Sequence, residues 1–137
     1  MIYPLADWQK LKRGYLFKQK TFYSPAHLGL DVCASVNTPV LAWQDLTVIK
    51  SCYGVEGGYT AFVKCPNNKR LFRIMHLECL ATVGSYKQGS TFARVGKSGN
   101  LCKGPHFHID ISKNGVLNLK DLSNFEDPEL YFKTFVN

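Results

Sequence analysis

Four histidines are the only imidazoles in this 137-residue chain: His27, His76, His106 and His108. Each falls at the edge of a segment that reads as a strand, or beside a glycine-rich turn, where a scaffold can aim a side chain. His106 and His108 flank Phe107 in HFHIDIS. Residues two apart in a strand share a face about 6.6 Å apart along the chain. That spacing suits two imidazoles converging on one centre, one as a ligand and the other acting on bound water or substrate. In HLGLD, His27 and Asp31 lie four apart and bring a neutral nitrogen and a carboxylate to one face. Gly29 between them gives the backbone room to turn.

Two histidines and one aspartate are a ligand set for catalytic zinc, with water in the fourth position. A doubly charged metal against one carboxylate leaves the centre cationic, which lowers the pKa of bound water toward about 7. A remaining histidine can move protons and another can stabilise a developing oxyanion. An HxH or an HxxxD pair taken alone is compatible with ordinary polar side chains. Together they favour zinc without fixing the reaction.

The elements that must position these groups read as short β-rich runs from Asp31 onward, separated by turn signals. The candidate strands are 39–43, 46–52, 59–65, 70–76, 91–96 and 106–112, and the segments between them are rich in Gly, Pro, Asn or Ser. This spacing predicts an antiparallel meander or sandwich-like sheet. Two segments look more helical. DWQKLKRGYLF predicts a turn or two near the start. Asp127-Pro128-Glu129 places an N-cap acid, an N1 proline and a first-turn glutamate before LYFKTF. A terminal helix there packs Leu130, Tyr131 and Phe135 on the sheet, and its acids serve the helix start rather than catalysis.

Length and composition fit one globular domain over 1–137, with 45% hydrophobic and 13% aromatic residues. Its expected parts are a basic, aromatic segment over 1–23, a catalytic core over 24–112 and an acidic C-terminal helix over 121–137. Charge is uneven: residues 1–120 carry sixteen basic and six acidic side chains, while the remainder sets Lys133 against four acids. A basic body points to an anionic partner, whether nucleic acid, membrane surface or bacterial wall polymer. The basic N-terminal stretch, interleaved with Trp8, Tyr15, Phe17 and Phe22, also fits single-stranded nucleic acid binding. A solvated face over aromatic core anchors explains the same pattern. The five cysteines form no CxxC pair and are expected as reduced, mostly buried thiols.

Several chemistries are excluded. Gly96-Lys97-Ser98 is not the end of a P-loop, because position 91 is Thr91. There is no HExxH and no GxSxG. Cys33 or Cys102 paired with a histidine is conceivable as a cysteine hydrolase, but Cys102 reads better as a loop residue and Cys33 as packing beside the site.

The order of motifs is more specific. His27-Leu-Gly-Leu-Asp31, Asn37-Thr-Pro-Val40, Met75-His76-Leu77, Gly96-Lys-Ser-Gly99 and Gly104-Pro-His-Phe-His108-Ile-Asp110 together resemble the M23 family. These are the lysostaphin-like zinc endopeptidases that cut peptide cross-links in bacterial peptidoglycan. The resemblance runs from about Ser24 to Ser112. It implies a mainly β fold, an antiparallel sheet of lysostaphin-like, duplicated-hybrid-motif type, with short terminal helices. It also implies zinc on His27, Asp31 and His108, with His76 and His106 as the catalytic histidines. Tyr23 is a candidate for assisting the oxyanion, and Tyr15 a weaker one. Both also fit as groove-wall aromatics. The chain departs from the family where Ile74 and Met75, rather than a tyrosine, precede His76, and where Asp110 ends the HxH strand. Asp110 shares the face of His106 and His108, as a partner behind a ligand or as a solvated strand residue.

The expectation is therefore a zinc metallopeptidase cutting peptidoglycan cross-links, with anionic wall polymers as a further partner. The chain is expected to be monomeric, with no specific nucleic acid partner. No run approaches 18 apolar residues, and MIYPLADWQK shows no Sec-type signal. That predicts synthesis in the cytoplasm and action on the cell wall or periplasm in phage lysis or virion entry, through a holin or in the virion. A non-hydrolytic wall-binding or amidase-activator module is the alternative.

Overall fold

A computed structural model describes residues 1–136. Its main sheet is antiparallel and is built from β1 (Gly29–Cys33), β3 (Leu46–Gly54), β4 (Gly58–Lys64), β5 (Leu71–Leu77), β6 (Gly84–Tyr86) and β8 (His106–Ser112). Their order across the sheet is β1-β8-β5-β4-β3-β6, and the two-residue β9 (Phe125–Glu126) pairs with the end of β8. A second sheet pairs β2 (Pro39–Leu41) with β7 (Thr91–Arg94). One α-helix, α1 (Pro128–Phe135), is present among the described residues. The fold is thus mainly β, as the strand-length runs require.

β8 is the organising strand, and its sequence shows why. Phe107, Ile109 and Ile111 alternate with His106, His108 and Asp110, so opposite faces of one strand carry oil and chemistry. The apolar face joins a core in which Trp43 packs 5.0 Å from Phe72 and 5.6 Å from Phe132, centroid to centroid. Trp8 adds edge-on contacts to Phe107 and Phe132. Burying a ring such as Phe132, fully inaccessible here, contributes about 1.5–3 kcal/mol.

Helix α1 starts as its sequence dictates. The Asp127 carboxylate accepts from the Glu129 amide at 2.9 Å, and Pro128 fills the first turn. It occupies only part of the acidic segment over 121–137. Pro128, Tyr131 and Phe132 are its buried residues, whereas Leu130 is 62% exposed and Phe135 half exposed. Leu130 therefore points outward, contrary to expectation, and Phe132 takes the core position. Near the start, residues 6–10 make successive turns, with Asp7 O accepting from Lys10 and Leu11, but no helix forms. Trp8 is drawn into the core there, and Arg13 bridges to Val32 and pairs with Glu129 at 2.7 Å.

Three further expectations change. β6 lies inside the 84–90 segment that reads as a turn. Of the five cysteines, all free thiols, only Cys65 is buried. Gly29 does not sit in a turn: it is the first residue of β1, opposite Asp110. A Cβ on Gly29 would collide with the Ile109 carbonyl oxygen and lie 2.9 Å from the Asp110 Cβ. Close strand approach, rather than turning, is what requires glycine here.

Candidate metal centre

The register of three strands assembles the site. In antiparallel pairs, directly opposed residues share a face. Asp31 on β1 and Met75 on β5 both oppose His108, and Cys33 opposes His106. One step along, Gly29 and Arg73 oppose Asp110. His27 lies just before β1 and turns its Nε2 to 3.5 Å from Asp31 Oδ1. The ligand atoms of His27, Asp31 and His108 lie within 4.8 Å of one another. His106 Nε2 stands 3.6 Å from the same Asp31 oxygen.

His76 reaches this centre by breaking the strand pattern. Strict alternation in β5 puts Phe72, Ile74 and position 76 toward the core, and Arg73 and Met75 toward the site. His76 instead has φ 63°, a left-handed conformation rare for a residue with a Cβ, and its amide donates to Gly57 O at 2.7 Å. Its ring lies 4.8 Å from that of His106 and 6.1 Å from that of His108. Such a conformation costs on the order of 1–3 kcal/mol and persists where neighbours over-determine it. Ser98 supplies that restraint. Its hydroxyl donates to Leu77 O at 2.6 Å and accepts from the Tyr59 amide, while its carbonyl meets His76 Nδ1 at 2.7 Å. Gly99, at φ 88°, lets this loop nest on the tip of the β3–β4 hairpin, where a side chain would strike Gly57 and Gly58.

Hydrogen bonding sets which nitrogen of each ring faces the centre. His27 Nδ1 lies 3.2 Å from Leu16 O, His76 Nδ1 2.7 Å from Ser98 O and His106 Nδ1 2.9 Å from Gly104 O. A carbonyl only accepts, so in each case Nδ1 carries the proton and the neutral ring's Nε2 is left with its lone pair. His108 is reversed, with Nδ1 2.8 Å from Asp31 Oδ1 and Nε2 2.9 Å from Asp110 Oδ2. Arg73 holds that Asp110 oxygen from Nη2 at 2.7 Å and Nε at 3.0 Å. Asp110 is 0% exposed and so is no solvated strand residue.

Electrostatics divides the four rings. Burial pulls His76 down to about 4, and burial with the neighbouring His108 also lowers His27. Burial opposes charge on His108 too, but the hydrogen bonds of Asp110 and Asp31 outweigh it and push His108 up to about 9. Burial likewise opposes ionisation of Asp31 and Asp110, and it is overcome by His108 and by Arg73 respectively, leaving both carboxyls below the usual range. For His106, burial is outweighed by Cys102 and Asp31, which raise it.

The centre floors an open groove of about 590 Å³. Phe22, 88% exposed, and Tyr23 stand on its wall, with Lys103 Nζ 5.8 Å from the Tyr23 ring. The Tyr15 ring lies 5.9 Å from His27. All five expected histidine and aspartate positions thus come together, and Tyr23 lines the same groove. Sequence reasoning missed Arg73, Ser98 and the carbonyls of Leu16 and Gly104. Arg73 is readable only once β5 is registered against β8, and main-chain acceptors carry no residue-type signal.

The donor set fits zinc. Two imidazole nitrogens and one carboxylate oxygen converge, with two more rings beside them and a groove open above. Comparison with known proteins agrees with this geometry. The model of peptidase family M23 matches residues 25–118. A peptidoglycan DD-endopeptidase, ShyC, of Vibrio cholerae serotype O1 is 33% identical over 93 residues, 66% of this chain and 21% of that protein. The chain thus spans about a fifth of that curated relative's length. Among solved structures, the catalytic domain of the antimicrobial peptidase lysostaphin from Staphylococcus simulans superposes with a TM-score of 0.76. It covers 92% of this chain and 95% of that one at 20% identity, a likeness of fold. A zinc-containing peptidase from Vibrio cholerae gives a TM-score of 0.68 at 26% identity over 80% of this chain and 35% of that one.

Proposed function

Because the chain belongs to peptidase family M23, we propose that it is a zinc-dependent endopeptidase that hydrolyses peptide cross-links of bacterial peptidoglycan. The observation that carries this reading is the convergence of His27 Nε2, Asp31 Oδ1 and His108 Nδ1 beneath an open groove, with His76 and His106 alongside. The peptidoglycan substrate named for the ShyC relative supports the choice of polymer.

His27, Asp31 and His108 hold the metal in this reading. Bound zinc supplies Lewis-acid polarisation and a water acidified to near neutrality. The remaining work belongs to the chain. Leu16 O takes the Nδ1–H of His27 and Asp110 the Nε2–H of His108, so the other nitrogen of each ring is the one turned to the centre. His76 and His106 stand side by side, ring centroids 4.8 Å apart, each with its Nδ1–H spent on a carbonyl. Each can therefore take or return one proton at Nε2 and hold a developing negative charge. The low basicity of His76 suits it to wait uncharged at neutral pH. Exposed Phe22 and Tyr23 form the wall against which a peptide stem lies, and Tyr23 is a further candidate for contact with the reacting carbonyl.

The test is muropeptide release from purified sacculi, for wild type and His76→Ala, with chelator and with zinc restored. Release that needs zinc and is lost in the variant supports the proposal, and mass spectrometry of the products names the bond. Zinc-loaded wild type that binds sacculi and releases nothing overturns it in favour of a binding module. The formal charge of +7 supports attraction to anionic wall polymers, and sacculus binding that ignores added salt overturns that part.

A further inference from the structure

His27, His76 and His106 are all oriented by main-chain carbonyls on Nδ1, whereas His108 is oriented by a side chain on Nε2. We propose that Asp110, clamped by Arg73, is the positioning residue that turns His108 so that its Nδ1 faces the metal. This rests on the reading that the centre holds zinc.

The arrangement is built across three strands. Arg73, Asp110 and Gly29 form one row across β5, β8 and β1, next to the row of Met75, His108 and Asp31. The absence of a Cβ on Gly29 leaves the space in which the Asp110 Cβ sits. Both nitrogens that Arg73 commits go to Asp110 Oδ2, the same oxygen that meets His108 Nε2. Asp110 Oδ1 is buried with no hydrogen-bond partner, so the carboxylate is placed for His108 and not for its own saturation. A carboxylate that accepts from the far nitrogen fixes a ligand ring's tautomer and rotation, and such partners change metal affinity by about 10–100-fold when removed. The Arg73 side chain, 13% exposed, reaches Asp110 from the neighbouring strand and holds the carboxylate in this orientation at 2.7 Å.

Zinc affinity by chelator competition, combined with proton–nitrogen spectra of the histidine rings, tests this. In zinc-loaded wild type, His108 should show a downfield, slowly exchanging Nε2–H. In Asp110→Asn that resonance should move upfield and zinc should bind about 10–100-fold more weakly. Glu126→Gln breaks a different ion pair, Arg70–Glu126 at 2.8 Å, and should leave zinc affinity unchanged. If Asp110→Asn fails to fold, the paired variant Arg73→Met/Asp110→Leu, which removes both charges, carries the same measurement. Wild-type affinity in whichever variant folds overturns the proposal. So does a His108 Nε2–H in wild type that exchanges as freely as an exposed imidazole, whatever the variants do. A wild type that binds no stoichiometric zinc overturns the metal reading together with this inference.

Discussion

The two faces of β8 are buried to nearly the same degree and held together by different physics. Phe107, Ile109 and Ile111 belong to one continuous cluster of buried apolar side chains. His108 and Asp110, 4% and 0% exposed, each depend on two named partners at hydrogen-bonding distance. Hydrophobic packing is non-directional and its losses are graded. A buried polar network is all-or-none, because one missing partner strands a desolvated charge. One strand thus carries a tolerant face and an intolerant one, a residue apart.

The neighbours Phe107 and His108 give the largest effects and the sharpest contrast. Phe107→Ala should lose about 3–5 kcal/mol of stability by urea unfolding while the protein that stays folded still binds zinc. His108→Ala should abolish zinc binding and sacculus hydrolysis. Equal losses of stability and zinc in both variants would erase the distinction. Next, His76→Ala should lower hydrolysis about 10²–10⁴-fold with zinc still bound, and because alanine keeps a Cβ the left-handed backbone strain stays as it is. Loss of zinc in that variant would make His76 a ligand. Smaller again, Ser98→Ala removes the hydroxyl that ties Leu77 to the Tyr59 amide. It should cost about 1 kcal/mol in stability and reduce turnover less than tenfold, zinc affinity being unchanged.

The smallest effect lies outside the centre, at the Arg13–Glu129 pair. Arg13 holds the Glu129 carboxyl below its usual range, so this pair stabilises the fold above the unfolded carboxylate pKa of about 4.3 and is lost as pH falls through the lower folded value. The stability gap between wild type and Glu129→Gln should be under about 1 kcal/mol, constant above about pH 5, and should close toward pH 2. A gap that widens on acidification would show that the carboxylate is not the stabilising form.

What the residues disclosed follows the same division. HFHIDIS displays both faces of β8 by alternation alone, and the capping chemistry at Asp127 marks α1. β1 escaped notice as a strand because Gly29–Val32 is buried throughout and shows no period of two. His76 could not be placed from its own strand, since alternation sends it toward the core. Only its left-handed backbone and the grip of Ser98 bring it to the site, and resemblance rather than periodicity singled it out. Asp110 was visible as a same-face neighbour of the two histidines. Its burial, and its tie to Arg73, required the pairing of β5 with β8.

The way the rings are anchored also shapes what mutation can reach. No codon change deletes a main-chain carbonyl, so the orientations of His27, His76 and His106 present a small mutational target, with the Cys102 thiol 3.5 Å from His106 Nδ1 as a side-chain contact there. The far nitrogen of His108 is held instead by two codons, those of Asp110 and Arg73. Variation in metal affinity, whether drifting in relatives or selected in the laboratory, has its shortest path through positions 73 and 110, while the neighbouring rings stay where the backbone put them.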